Sequence, residues 1–80
     1  MDRAEISRRI EAILRDQKTL PTDPIDPATP LETLGFDSLD ALNIVFGLEE
    51  TFKISISDDE VRDVRSLGRM VEIVEGHLQS

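Results

Sequence analysis

No cysteine occurs in the chain, which excludes a disulfide framework, a thiolate metal site and a catalytic thiol. A reducing cytoplasm is the expected location. Tryptophan and tyrosine are missing too, and the aromatics are three phenylalanines, so the core must be aliphatic and small. No apolar run approaches the ~18 residues that span a bilayer, and the opening MDRAEISRRI is too charged for a secretory signal. Membrane insertion is not expected. A Gly-rich phosphate loop is also lacking, since Gly35, Gly47, Gly68 and Gly76 stand apart. The lone imidazole, His77, leaves no His pair for zinc, and the run Asp58, Asp59, Glu60 lacks the alternating ligands and the glycine of a calcium loop. No metal site is expected. The 80 residues leave no room for a second domain or a cleft between two. A domain of this size buries only roughly 60 to 65% of the surface its unfolded chain exposes.

Acidic charge is abundant and unevenly placed. The formal net charge is -8, from nine basic and seventeen acidic residues. Residues 1–18 carry five basic and four acidic side chains, residues 19–80 four basic and thirteen acidic, and between Asp37 and Glu60 seven acids face Lys53 alone. A field of that sign repels phosphate backbones and anionic lipid, so neither nucleic acid nor a membrane is an expected partner. A basic protein surface is.

The apolar pattern is helical. Ile6, Ile10, Ile13 and Leu14 form one stripe, which predicts a first helix over about residues 3 to 17. In KTLPTDPIDPATPLETLG, prolines at 21, 24, 27 and 30 forbid a regular helix interior. They read either as a polyproline ligand or, more simply, as a stiffened connection. Within it, Thr29, Pro30 and Gly35 have the order of a cap, a first helical residue and a stop, so Leu31–Leu34 is expected to form one turn. Ser38 to Phe52 predicts the second long helix, with Asp37 as N-cap and Asp40 three residues on in a capping-box position. KISIS alternates like a strand but has no partner strand, so it is expected to be an extended loop burying Ile54 and Ile56. Ser57, Asp58, Asp59 and Glu60 then form a capping box for a short third helix, with Val61 and Val64 behind it. Ser66 caps a fourth helix, striped by Leu67, Met70, Val71, Val74 and Leu78. The fold class expected is all-α, one small four-helix bundle of three longer helices and one short helix, with a long Pro-containing loop between the first two long helices.

The second helix carries more apolar surface than one core contact needs. Ala41, Ile44, Val45, Leu48 and Phe52 gather on one side, while Leu39, Leu42 and Phe46 lie on another, flanked by Asn43, Glu49 and Glu50. The second stripe is either covered by the third helix or the loop, or it is a docking surface; periodicity alone does not choose.

At the head of this helix stands Ser38. Its plain reading is capping. The alternative is an attachment point, because free amides and the helix dipole favour a phosphate there. A self-activated nucleophile is poorly supported: Asp37 and Asp40 place negative charge beside the hydroxyl, and the only imidazole lies near the other end of the chain. If Ser38 reacts, another enzyme supplies the base.

The stretch LGFDSLDALNIVFGLEETFKISISDDE resembles the signature of acyl carrier proteins, from Asp37, Ser38 and Leu39 through Leu48, Glu49, Glu50 and Phe52 to Ile56. The resemblance extends over nearly the whole chain and implies a single acyl carrier domain over residues 1–80. It implies 4'-phosphopantetheine taken from coenzyme A by a phosphopantetheinyl transferase and joined covalently to Ser38, with Asp37 and Leu39 beside it, and a terminal thiol that carries acyl groups as thioesters. The protein itself would catalyse nothing. Asp37, Leu39, Asp40, Leu42, Phe46, Glu49 and Glu50 would form the recognition face, steering acyl-transferring or acyl-modifying enzymes with basic docking surfaces through weak, salt-sensitive encounters. A monomer is expected. Asn43 in place of an acid, Gly47 within the helix and the four prolines depart from the common fatty-acid carriers, so polyketide, D-alanyl or specialised lipid synthesis stands beside the housekeeping role. Asp37 stands where peptidyl carriers usually have Gly. The competing readings are an unmodified helical adaptor using the Leu39, Leu42, Phe46 stripe or the Pro-rich loop, and a small hydrolase using Ser38 and His77.

Overall fold

The computed structural model describes residues 2–18, 20 and 25–79. Among these residues there are four α-helices, α1 (Arg3–Gln17), α2 (Ser38–Phe52), α3 (Asp58–Arg62) and α4 (Leu67–Gln79), with a 3-10 turn over Leu31–Leu34 between the first two. The architecture is the all-α bundle expected from the periodicity.

Each helix starts where a side chain can satisfy its otherwise unpaired amides. Asp2 accepts the Glu5 amide at 2.8 Å to open α1. Asp37 and Asp40 exchange a capping box at α2, and Ser57 and Glu60 do the same at α3. The Ser66 hydroxyl accepts the Arg69 amide at 3.3 Å at the head of α4. Two of the ends use left-handed backbone. The 3-10 turn stops at Gly35 with φ 91°, and α2 stops at Lys53 with φ 57°, a conformation that costs a residue with a Cβ roughly 1 kcal/mol or more.

Helix α1 packs against both α2 and α4. It contributes Ile6, Ile10 and Leu14 to the core, α2 contributes Ile44, Val45, Leu48 and Phe52, and α4 contributes Leu67, Met70, Val71, Ile73 and Val74. Each such side chain stabilises the fold by about 1.5–3 kcal/mol when fully buried. Three positions differ from the pattern. Leu78 is exposed, because the stripe of α4 overshoots its partners near the chain end, and Ile73 is buried instead. Ile54, next to the left-handed Lys53 that ends α2, is only half-buried where Ile56 is buried.

Ile13 is the third. It lies half-buried at the crossing of α1 and α2, facing Gly47, and a Cβ placed at Gly47 would sit 3.1 Å from Ile13 Cγ2. The helix-propensity cost of ~1 kcal/mol at Gly47 is offset by the close approach it allows between the two helices.

The long connection is part of the core. Ile25, Leu31 and Phe36 are buried, and the segment is stitched to the start of α4. Pro27 O accepts the Gly68 amide at 3.0 Å, the Leu31 amide donates to Arg65 O at 2.8 Å, and Pro30 forms an isolated antiparallel bridge with Ser66. Pro27 and Pro30 are therefore used inside the fold. Pro21 and Pro24 lie outside the described residues.

Candidate functional site

The capping box fixes the head of α2. Asp37 Oδ1 accepts the Asp40 amide at 2.9 Å, and Asp40 Oδ2 accepts the Asp37 amide at 3.1 Å. The Ala41 amide is taken by Asp37 O at 3.0 Å. Between them, the amides of Ser38 and Leu39 and the exposed Ser38 hydroxyl have no hydrogen-bond partner among the described residues. Two unpaired donors thus flank an unengaged hydroxyl at the positive end of a fifteen-residue helix. That is a geometry which accepts an anion.

The negative charge beside Ser38 is partly compensated. Lys18 Nζ, at the end of α1, lies 3.4 Å from Asp40 Oδ2 and 6.0 Å from the centroid of the Phe36 ring. The Asp37 amide, and then the Lys18 ammonium, hold the Asp40 carboxyl below its ordinary range, with desolvation working in the opposite direction. Sequence reasoning passed over Lys18, whose place next to α2 depends on where the long connection returns.

Ser38 also opens onto a groove. Ala41 and Leu42 line its α2 side, and Val61 and Val64 line the opposite side together with Arg62 and Arg65. His77 lies elsewhere, in a separate groove between α3 and α4. Its Nε2 is 2.9 Å from Glu60 Oε2. The Ser57 amide is the largest cause of the lowered pKa of Glu60, and His77 adds to it. Ser38 and His77 are not brought together, so the imidazole does not serve the serine hydroxyl as a base.

The second apolar stripe of α2 is uncovered. Leu39 is 66%, Leu42 44% and Phe46 62% exposed, and Asp37, Asn43 and Glu50 are exposed around them. Glu49, expected on the recognition face, also holds a bond within the chain. It is half-buried, and its Oε2 accepts the Ile56 amide at 2.8 Å, tying the extended segment before α3 to the end of α2. Seven residues separate the two, a distance at which no local pattern advertises a bond.

Residues 8–74 match the family described as "Phosphopantetheine attachment site". The chain belongs to the acyl carrier protein family. It is 34% identical over 74 residues to an acyl carrier protein of Saccharopolyspora erythraea, covering 91% of this chain and 78% of that one. It is 31% identical to the mitochondrial acyl carrier protein 2 of Arabidopsis thaliana, all of this chain aligning with 64% of that longer protein. The fold superposes on the crystal structure of an acyl carrier protein from Thermotoga maritima with a TM-score of 0.85 at 25% identity, covering 99% of this chain and 93% of that one. As an acyl carrier protein it is a carrier rather than a catalyst, and a phosphopantetheine attachment site implies a phosphopantetheinyl transferase and biosynthetic enzymes as partners. No helix among the described residues is long and apolar enough to cross a membrane.

Proposed function

We propose that Ser38 is the attachment residue and that the chain is one carrier domain, presenting acyl groups to enzymes of fatty acid, polyketide or specialised lipid synthesis. The observation that carries this reading is the unengaged, exposed Ser38 hydroxyl flanked by two unpaired amides at the start of α2. In loading, the Ser38 O–H bond breaks and an Oγ–P bond forms, coenzyme A gives up its 3',5'-adenosine bisphosphate portion, and the proton passes to the transferase. The Ser38 and Leu39 amides would be the donors that hold the phosphate, with Asp37 fixing the turn. When attached, the arm supplies the thiol that this cysteine-free chain lacks, and acyl groups ride on it as thioesters. Tethering of this kind presents cargo at high effective concentration to a docked enzyme.

Partners read the exposed Leu39, Leu42 and Phe46, with Asp37 and Glu50 steering basic surfaces. Asp40 and Glu49 belong to the same face but also hold intrachain bonds. Weak contacts to a monomer suit a shuttle, and the cysteine-free composition suits the cytoplasm as its location.

The test is incubation with coenzyme A and a broad-specificity phosphopantetheinyl transferase, read by intact mass. The wild type should gain one arm and Ser38→Ala none. A folded wild type that refuses the arm would overturn the assignment and favour an unmodified helical adaptor working through the same stripe.

A further inference from the structure

Several cations of this acidic chain are spent on carboxylates. Arg3, Arg9, Lys18 and Arg69 are each ion-paired. Arg8, Lys53, Arg62 and Arg65 have no such pair among the described residues, and of these four Arg62 and Arg65 are the two that line the Ser38 groove. Neither guanidinium has a carboxylate within ion-pair distance among the described residues, and the one bond either makes is from Arg65 Nε–H to the Arg62 carbonyl at 3.3 Å. With seventeen acids against nine bases, two uncompensated guanidiniums are not explained by a shortage of counter-charges.

Their position gives a reason. Arg62 ends α3, Arg65 follows it in the link to α4, and both line the groove onto which Ser38 opens. The acids of that groove are Glu32 and Asp37, and Asp37 Oδ1 already serves the Asp40 amide. The groove is thus formally neutral in a chain of net charge -8. Favourable interaction with the end of α3 accounts for a cation at position 62. Arg65 caps the same end through its bond to the Arg62 carbonyl, and what neither contact accounts for is that both guanidiniums line one groove with Ser38.

We propose that Arg62 and Arg65 hold the phosphodiester through which the arm hangs from Ser38. This rests on the assignment of Ser38 made above. A phosphodiester presents two non-bridging oxygens and one negative charge, which the planar guanidinium fork matches in a paired, charge-assisted contact. The Ser38 and Leu39 amides approach the phosphate from the helix side and the two arginines from across the groove. The first part of the arm is thereby drawn along the groove at low ionic strength and released as salt rises.

The experiment compares apo and loaded protein, with intact mass reporting loading and 15N NMR following the arginine Nε–H signals. Loading with the bare-thiol arm should move the signals of Arg62 and Arg65 and leave that of Arg8 in place. At low salt the arm should raise the folded-to-unfolded ratio about two- to fivefold more in wild type than in Arg62→Gln/Arg65→Gln. That difference should vanish at about 0.5 M salt, where the Debye length is only ~4 Å. Both side chains are exposed, so the apo variant should unfold like apo wild type. If the variant loads poorly, the wild-type signals decide alone. A wild type that loads while its Arg62 and Arg65 signals stay fixed would overturn this proposal and leave Ser38 standing, whereas absence of loading would sink both. Shifts that arise only when the arm bears a succinyl group, and not with the bare thiol or an acetyl group, would place the anion on the cargo and likewise overturn it.

Discussion

Helices α3 and α4 follow one another in the chain and are held by different forces. α4 buries five apolar side chains against α1 and its neighbours, while α3 buries none of its own five residues. The short helix is kept in place by its Ser57–Glu60 capping box, by the Glu60–His77 contact to α4 and by the valine that follows it, Val64. The segment leading into it hangs on the bond from the Ile56 amide to Glu49. Burial is non-directional and collective, so α4 resists small displacements. Hydrogen bonds near the surface are few and exchangeable with water, so α3 can shift without unfolding the rest. The side that yields is the one bordering the Ser38 groove.

Substitutions should separate the two regions. Leu48→Ala, at a fully buried site of α2, should cost about 2–5 kcal/mol, a large part of the stability of a small domain. Urea unfolding followed by circular dichroism measures it, and a loss below 1 kcal/mol would show that the half around α1 and α4 is not packed as described. A smaller effect is expected at the end of α2. Glu49→Lys strands the Ile56 amide and should cost about 1–2 kcal/mol, whereas Glu50→Lys, on an exposed neighbour, should stay within about 0.5 kcal/mol. Equal losses for the two variants would remove Glu49 from its role in holding the approach to α3.

Acid should act on the capped, surface-held parts with the smallest effect of the three. The carboxyls of Asp40 and Glu60 are held below their ordinary ranges chiefly by the amides of Asp37 and Ser57. Because the folded state lowers their pKa, their contribution is complete above the ordinary carboxylate value of about 4 and is lost as the pH falls through the depressed values. The amide signals of Asp37 and Ser57 should therefore move together, at lower pH than an ordinary exposed carboxylate titrates, while the amides of Ile10 and Leu48 stay still. Midpoints at or above the ordinary value would contradict the capping geometry.

Much of this could be read from the letters because helices announce themselves locally. Caps at Asp37 and Ser57 lie three residues from Asp40 and Glu60, and stripes such as Ile6, Ile10 and Leu14 recur within a turn. The candidate site was legible to the same extent: Ser38 and the Leu39, Leu42, Phe46 stripe sit on one helix whose period places them. What stayed hidden depends on chain segments meeting across space. The ammonium of Lys18 beside Asp40, the Glu49 carboxylate under the Ile56 amide and the joint placement of Arg62 and Arg65 along the Ser38 groove need tertiary contact to exist. The long connection belongs to the same class. Its prolines marked it as irregular, but only the bonds from Gly68 to Pro27 and from Leu31 to Arg65 show that it is packed down.

The missing side chain at Gly47 has a consequence for which way the exposed face of α2 points. With Ile13 lodged against a bare stretch of backbone, α2 is indexed like a shaft on a key, and rolling it about its own axis would drive that isoleucine into the flanking residues. Leu39 and Phe46 are consequently displayed at one azimuth. A side chain at this point would have to push Ile13 aside or turn α2 against α1, and with it the direction in which Leu39 and Phe46 look.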